Sequence, residues 1–416
     1  MRAAVVGLGK LGLCQALLLR EGGLDVMGID TLPDHLDRIR RGEAPHQEPH
    51  LAEMLATHGP TIDWRSEVSD AAECDVVFIV VPTPSLPSGA FDISIVESVI
   101  RDIAQAVRRG HSIVLCVVST VNPGDGVGVL TEALSASDPE AQVGLVESPE
   151  FIALGDVFAG MRRPDLILIG EAERWAGDRV VTALRMIRPG LPDDLAPGAR
   201  YFGKAPQVHR LSPTDAEIAK LGLNVGLTVK LAYASTISAL VAAYGGNPRQ
   251  VADAIGADHR IGRAFLSPGP PPAGPCLPRD GAAFIRAALS RGLFAPMVEA
   301  TRDEAADQRT RILRRIVTRT PSDEGVLLLG MTYKPGTEVA DGAIGPWLAD
   351  RLQDRYSVAC ADPGADAQAM IDDAHTVVLC TDDPAWRDLD YDGTTVIDLW
   401  GLLIHIDGVA EYVGPS

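Results

Sequence analysis

Apolar positions along the chain fall into two series of short strand-like runs, with a long stretch of helical periodicity between them. The first series occupies residues 2–7, 24–30, 75–81, 112–118, 144–146 and 166–170, and its runs alternate with helical stretches. Apolar strands separated by helices predict parallel βαβ units with both sheet faces covered and right-handed crossovers. The pattern changes near residue 210. Ser212-Pro213-Thr214-Asp215 has a capping serine, a proline at the first helical position and an acid at the third. The helix it opens meets no proline and no paired glycine before Gly245-Gly246, so about thirty residues are expected. Leu221, Val225, Thr228, Val229, Ala232, Thr236 and Leu240 supply a stripe at helical spacing. That stripe suits either a spine or subunit interface, or a large core helix.

A Pro/Gly loop follows at 267–280, then a helical stretch at 281–319. The second strand series lies at 325–330, 358–362, 376–380 and 395–399. The expected fold is α/β: two doubly wound, Rossmann-like domains joined by a central long-helix domain. The boundaries are 1–205, 206–310 and 311–416, a three-way division that 416 residues can support.

Composition narrows the partners. With 37 Lys and Arg against 56 Asp and Glu, the formal charge is −19. A polyanion such as nucleic acid, or an anionic membrane, needs a basic face, so neither is expected. A small anionic ligand stays open, because backbone N–H groups and a few local cations can hold it. No run of about 18 apolar residues predicts a membrane span. The start of the chain lacks a signal-peptide layout. The six cysteines form no C-x-x-C pair and are too sparse for a disulfide scaffold. A cytoplasmic protein without a metal site is expected. Cys116, Cys360 and Cys380 sit in apolar runs and read as small core residues.

Chemistry enters first at Gly7-Leu8-Gly9-Lys10-Leu11-Gly12, a G-x-G-x-x-G turn between a strand and a helix. Gly7 allows the tight turn, Gly9 the approach of a pyrophosphate, and Gly12 close helix–strand packing. The helix N-terminus adds N–H donors and a partial positive charge. Asp30 ends the next strand, placed to accept from a ribose 2′-OH, and neither Thr31 nor Leu32 offers an arginine for a 2′-phosphate. The expected cofactor is NAD. Three further strands end in polar turns: Val81-Pro82-Thr83-Pro84, Ser119-Thr120-Val121-Asn122-Pro123-Gly124 and Glu147-Ser148-Pro149-Glu150-Phe151. Polar turns at the carboxyl ends of parallel strands point to a ligand crevice.

Cys276 lies in the stiff loop, just before Leu277-Pro278-Arg279-Asp280. A helix starting near Pro278, with Arg279 beside it, would favour thiolate, and Asp280 four residues on could lie near the sulfur. Cys276 therefore reads as a nucleophile rather than a small core cysteine. On spacing alone, Glu217, Lys220 and Asn224 read as an ordinary solvated stripe, and Lys334 as a surface lysine.

In order along the chain, these motifs resemble the UDP-glucose/GDP-mannose family of nucleotide-sugar 6-dehydrogenases. The matching pieces are the glycine turn, Val-Pro-Thr-Pro-Ser from Val81, Ser-Thr-Val-Asn-Pro-Gly from Ser119 and Ser-Pro-Glu-Phe from Ser148. They continue with Asp-Ala-Glu-Ile-Ala-Lys-Leu-Gly-Leu-Asn from Asp215, Asp258-His259-Arg260-Ile261-Gly262, the Cys276 loop ending in Arg-Asp, and Tyr-Lys-Pro-Gly-Thr from Tyr333. The resemblance implies a four-electron oxidation of a primary C6 alcohol through a thioester on Cys276. It implies that Lys220 and Asn224 stabilise the oxyanion, that Asp280 and Thr120 position water, and that Glu150 moves a proton. It places NAD against Gly7, Gly9, Leu11, Gly12, Asp30, Pro82, Thr83 and Thr120. It places a nucleotide-sugar substrate against Phe151, Lys220, Asn224, Gly274, Lys334 and Arg260, the last reaching from a neighbouring subunit of a homodimer or higher homo-oligomer.

The chain departs from the family pattern in three places. The loop usually written Gly-x-Gly-Phe-Gly-Gly-x-Cys has Gly269, Pro271, Pro272, Ala273 and Gly274 at the matching positions, and proline removes N–H donors. Arg279 replaces a lysine. Asp341 stands where an arginine is usual. Two other readings compete: a two-electron hydroxy-acid-type dehydrogenase on a similar scaffold, and a non-catalytic nucleotide-sugar-binding protein.

Overall fold

In the computed structural model the described residues are 1–152, 154–187, 206–267, 269–364, 366–403 and the strand Glu411–Val413. They form two compact units, residues 1–221 and 222–416, so the central stretch expected at 206–310 is shared between them. The expected boundary at 205/206 abuts residues 188–205, which lie outside the described residues, as does Pro268 of the expected loop.

The first unit is built on eight strands: β1 Arg2–Val6, β2 Asp25–Ile29, β3 Asp63–Arg65, β4 Val76–Ile79, β5 Ser112–Val117, β6 Gln142–Glu147, β7 Leu166–Glu171 and β8 Gln207–Leu211. Their order across the sheet is β3-β2-β1-β4-β5-β6-β7-β8. That is the doubly wound order, with its switch point between β1 and β4. Strands β1, β4 and β5 are buried almost throughout, as parallel strands covered on both faces must be. The all-parallel expectation needs one correction. β7 pairs antiparallel with β6, through Val146 with Glu171 and Glu147 with Gly170. Among the described residues of 148–165 the one helix is the six-residue Val157–Arg162. At about 9 Å it is too short to carry the chain back along a strand of about 20 Å.

The second unit carries a parallel sheet of β9 Gly325–Leu329, β10 Ser357–Ala361, β11 Thr376–Leu379, β12 Thr395–Asp398 and β13 Glu411–Val413. Its order is β10-β9-β11-β12-β13, a second doubly wound arrangement. Four of its strands were expected within a residue at either end. The cysteines divide differently from expectation. Cys116 and Cys380 are buried, but Cys360 is exposed, because β10 is an edge strand covered on one side only.

The long helix is Pro213–Ala243, 31 residues. Ser212 Oγ accepts the Asp215 N–H at 3.2 Å and donates to the Asp215 carboxylate at 2.7 Å, the cap expected from the sequence. Its buried face differs from the expected stripe. Leu221 and Val225 are buried, but farther along Ala234, Ser235 and Ser238 turn inward, while Thr236 is exposed and Leu240 is 60% exposed. An ideal helix advances 3.6 residues per turn, so a fixed four-residue step drifts off the buried face over its length. Among the described residues this is the one helix long and apolar enough to cross a membrane by length and composition, and only 17% of its most apolar stretch is buried.

Candidate active site

In the first unit the glycine turn is built by close approach. Gly7 has φ +92°, and a side chain at Gly12 would bring its Cβ within 1.9 Å of the Gly7 carbonyl oxygen. Gly9 caps the helix Lys10–Glu21 with no side-chain bond, and an added Cβ there would meet nothing within 4 Å. The N–H groups of Lys10, Leu11 and Gly12 are among those that a helix start leaves without an intrahelical partner. The Asp30 carboxylate accepts N–H groups from Leu8 at 2.9 Å and Leu32 at 3.0 Å. Each oxygen keeps a lone pair for a ribose hydroxyl. These residues fit a dinucleotide without a 2′-phosphate.

The polar turns on the same sheet edge are bonded together. Thr83, beside Pro82, donates to the Thr120 carbonyl at 2.9 Å. Ser119 donates to the Val81 carbonyl at 2.6 Å. The Phe91 N–H donates to the Asn122 side chain at 2.8 Å. Lys220 rises from the long helix into this edge. Its ammonium donates to the Glu150 carbonyl at 2.8 Å and lies 4.7 Å from the centre of the Phe151 ring. Glu217, Lys220 and Asn224 are buried, with Lys220 only 7% exposed. The reading of this trio as a solvated stripe is overturned.

Glu147 and Glu217 form a buried carboxyl pair that the sequence motifs contained without marking. Glu217 accepts the N–H groups of Gly124 at 2.5 Å and Gly126 at 2.7 Å. Burial, then the facing Glu217, pushes the Glu147 carboxyl up to about 10. Burial also raises Glu217, against the two N–H bonds that hold it down. Glu147 is therefore the member of the pair that keeps its proton.

In the second unit Cys276 is exposed and caps the helix Leu277–Ser290, with Pro278 in its first turn. The Asp280 N–H donates to the Cys276 carbonyl at 2.9 Å. The Asp280 carboxyl is 1% exposed and accepts from the Asn224 amide at 2.6 Å. Asn224 and Asp280 are thus joined, as their spacing in sequence could not show. Lys220 is the last residue but one of the first unit, and Asn224 the third of the second, on one continuous helix.

The loop before Cys276 is tied to the turn after β9. The Gly274 N–H donates to the Asp341 carbonyl at 2.7 Å, and Gly274 has φ +88°, packed so that a Cβ would meet the Tyr333 ring at 2.8 Å. Lys334 is in that same turn, and its carbonyl accepts from Thr332 and Thr337 at 3.1 Å. Arg309, from the helix Pro296–Arg319, donates to the Gly342 carbonyl at 2.9 Å. Nothing in its spacing marked it. Arg260 is exposed and makes two bonds to Asp258, at 3.0 and 2.7 Å.

With this geometry in hand, comparison with known proteins identifies the family. Residues 1–186 match the NAD-binding domain of the UDP-glucose/GDP-mannose dehydrogenase family, and residues 214–305 match its central domain. The UDP-glucose 6-dehydrogenase of Rhizobium meliloti is 28% identical over 411 residues, covering 96% of this chain and 90% of that one. The GDP-mannose 6-dehydrogenase of Pseudomonas aeruginosa is 29% identical over 378 residues, covering 85% and 81%. A solved UDP-glucose dehydrogenase from Pyrobaculum islandicum superposes with a TM-score of 0.87 at 27% identity, covering 99% and 97%. The chain belongs to the UDP-glucose/GDP-mannose dehydrogenase family. It is an NAD-dependent nucleotide-sugar dehydrogenase with Rossmann-type sheets.

Proposed function

We propose that the chain oxidises the C6 primary alcohol of a nucleotide-diphosphate sugar of the UDP-glucose type to the uronic acid, through a thioester on Cys276. The observation that carries this reading is an exposed cysteine at a helix start, whose following turn holds Asp280 against Asn224. Bound NAD supplies the hydride acceptor, two molecules for each sugar. The Cys276 sulfur adds to the aldehyde carbon of the half-oxidised sugar and forms a C–S bond. Loss of a hydride and a proton leaves the thioester, and water then cleaves the C–S bond, releasing the carboxylate and restoring the thiol. One alcohol, two NAD and one water become one carboxylate, two NADH and three protons.

Within this reading Lys220 and Asn224 stabilise the oxyanion. Asp280 and Thr120 orient the water, and Glu150 moves a proton. Gly274 and Phe151 line the sugar, while Lys334 and Arg260 hold the nucleotide diphosphate, Arg260 from a second copy of the chain. The exposed apolar residues Tyr233, Leu240 and Tyr244 on and beside the long helix support a homodimer. Purified protein with NAD and a panel of UDP- and GDP-sugars tests the reading. Mass spectrometry should find one uronate, and no oxidised product from any sugar would overturn it.

A further inference from the structure

Glu147 ends β6, is 3% exposed, and its Oε1 carries no hydrogen-bond partner. The carboxyl is pressed against the turn at Gly126, where an added Cβ would lie 2.0 Å from Oε1. Glu217 is seated beside it by the Gly124 and Gly126 N–H groups. These groups border a cavity of about 10 Å³, lined also by Ser119, Thr120, Pro149 and Lys220. That is room for about one water, which needs two to four polar partners. A buried polar oxygen left unbonded costs stability unless water reaches it.

We propose that Glu147 is a positioning residue: its neutral carboxyl bonds Glu217 and seats one water that links it to Lys220 and Thr120. The geometry dictates the roles. The proton of Glu147 goes to Glu217, so Oε1 is a carbonyl oxygen and accepts from the water. The water in turn accepts from the Lys220 ammonium, a group of three N–H donors that also bonds the Glu150 carbonyl. Lys220 is then fixed through a neutral group. A second full carboxylate there would compete for the charge that the developing oxyanion needs. The inference rests on the proposed role of Lys220, although the water itself does not.

Crystallography and kinetics on the full chain test it together. A high-resolution crystal structure should show one ordered water between Glu147, Thr120 and Lys220, and a dry cavity would overturn the proposal. Glu147→Leu should lower kcat about tenfold, the scale of one buried hydrogen bond to a charged group, with KM for NAD unchanged. Glu147→Gln keeps a neutral donor and acceptor and should recover most of that turnover. If Glu147→Gln is as impaired as a folded Glu147→Leu, or if Glu147→Leu turns over like the wild type, the proposal fails. Wild-type protein that oxidises no nucleotide sugar would defeat the function reading alone, because the crystallographic arm reads the water without turnover.

Discussion

Asp280 and Glu147 are both buried carboxyl groups, and their neighbours set them to different work. Asp280 faces an amide, whereas Glu147 faces another carboxyl group and keeps its proton. A carboxyl whose folded pKa lies above its unfolded value of 4.5 stabilises the fold below that value and loses the contribution as pH rises toward about 10. Glu147→Gln cannot ionise, so its melting temperature should fall less between pH 6 and pH 9 than that of the wild type; an equal fall in a scanning-calorimetry pair would contradict this. Cys276→Ser should oxidise the alcohol without completing the acid, with aldehyde trapped by hydroxylamine; full uronate production by that variant would remove the thiol from the chemistry. At this scale the sequence marks residues through motif and turn chemistry. Cys276 was legible because a proline-rich loop is a poor place to bury a thiol. The burial of Lys220 and Asn224 was not, because the i, i+4 spacing is the same on a solvated face as in a crevice. Glu147 was invisible as a functional group because its significance lies in Glu217, 70 residues away.

The glycine turn is the element most fully determined by local sequence. Strand, three glycines and helix follow one another directly in sequence, and the closest approach within the turn lies between Gly12 and Gly7. Gly12→Ala must shift the helix start, and isothermal calorimetry should show NAD binding weakened by at least about tenfold in a still-folded protein, roughly 1.4 kcal/mol; unchanged affinity would contradict the assignment of the turn. The strands β3, β8 and β13 escaped the periodicity reading because Asp63-Trp64-Arg65, Gln207-Val208-His209-Arg210-Leu211 and Glu411-Tyr412-Val413 lack the continuous apolar run of the strands that were read. The long helix shows the opposite limit. Its length and cap were legible, but not which side it buries, since neighbours decide that. Its exposed side supports self-association. Leu240→Glu with Tyr244→Glu should shift the sedimenting species to the monomer, and a variant that sediments like the wild type would contradict this surface.

For the whole molecule, the −19 charge frames how an anionic cofactor and substrate are held. In the proposed account a helix start without a side-chain cap receives the cofactor, and single cations such as Lys220 and Lys334, near motif turns, serve the substrate. The family and both doubly wound sheets were legible because glycine turn, polar strand ends and cysteine loop occur in order. The prolines before Cys276, and Asp341 where the family pattern has arginine, fall on the proposed recognition side of the site, while the proposed reacting groups are kept. The central claim is a four-electron oxidation by one chain. The direct measurement is the NADH formed per molecule of nucleotide sugar consumed, followed at 340 nm with limiting sugar. Two NADH per sugar, with uronate as product, is the predicted result. One NADH per sugar, with aldehyde accumulating, would contradict it.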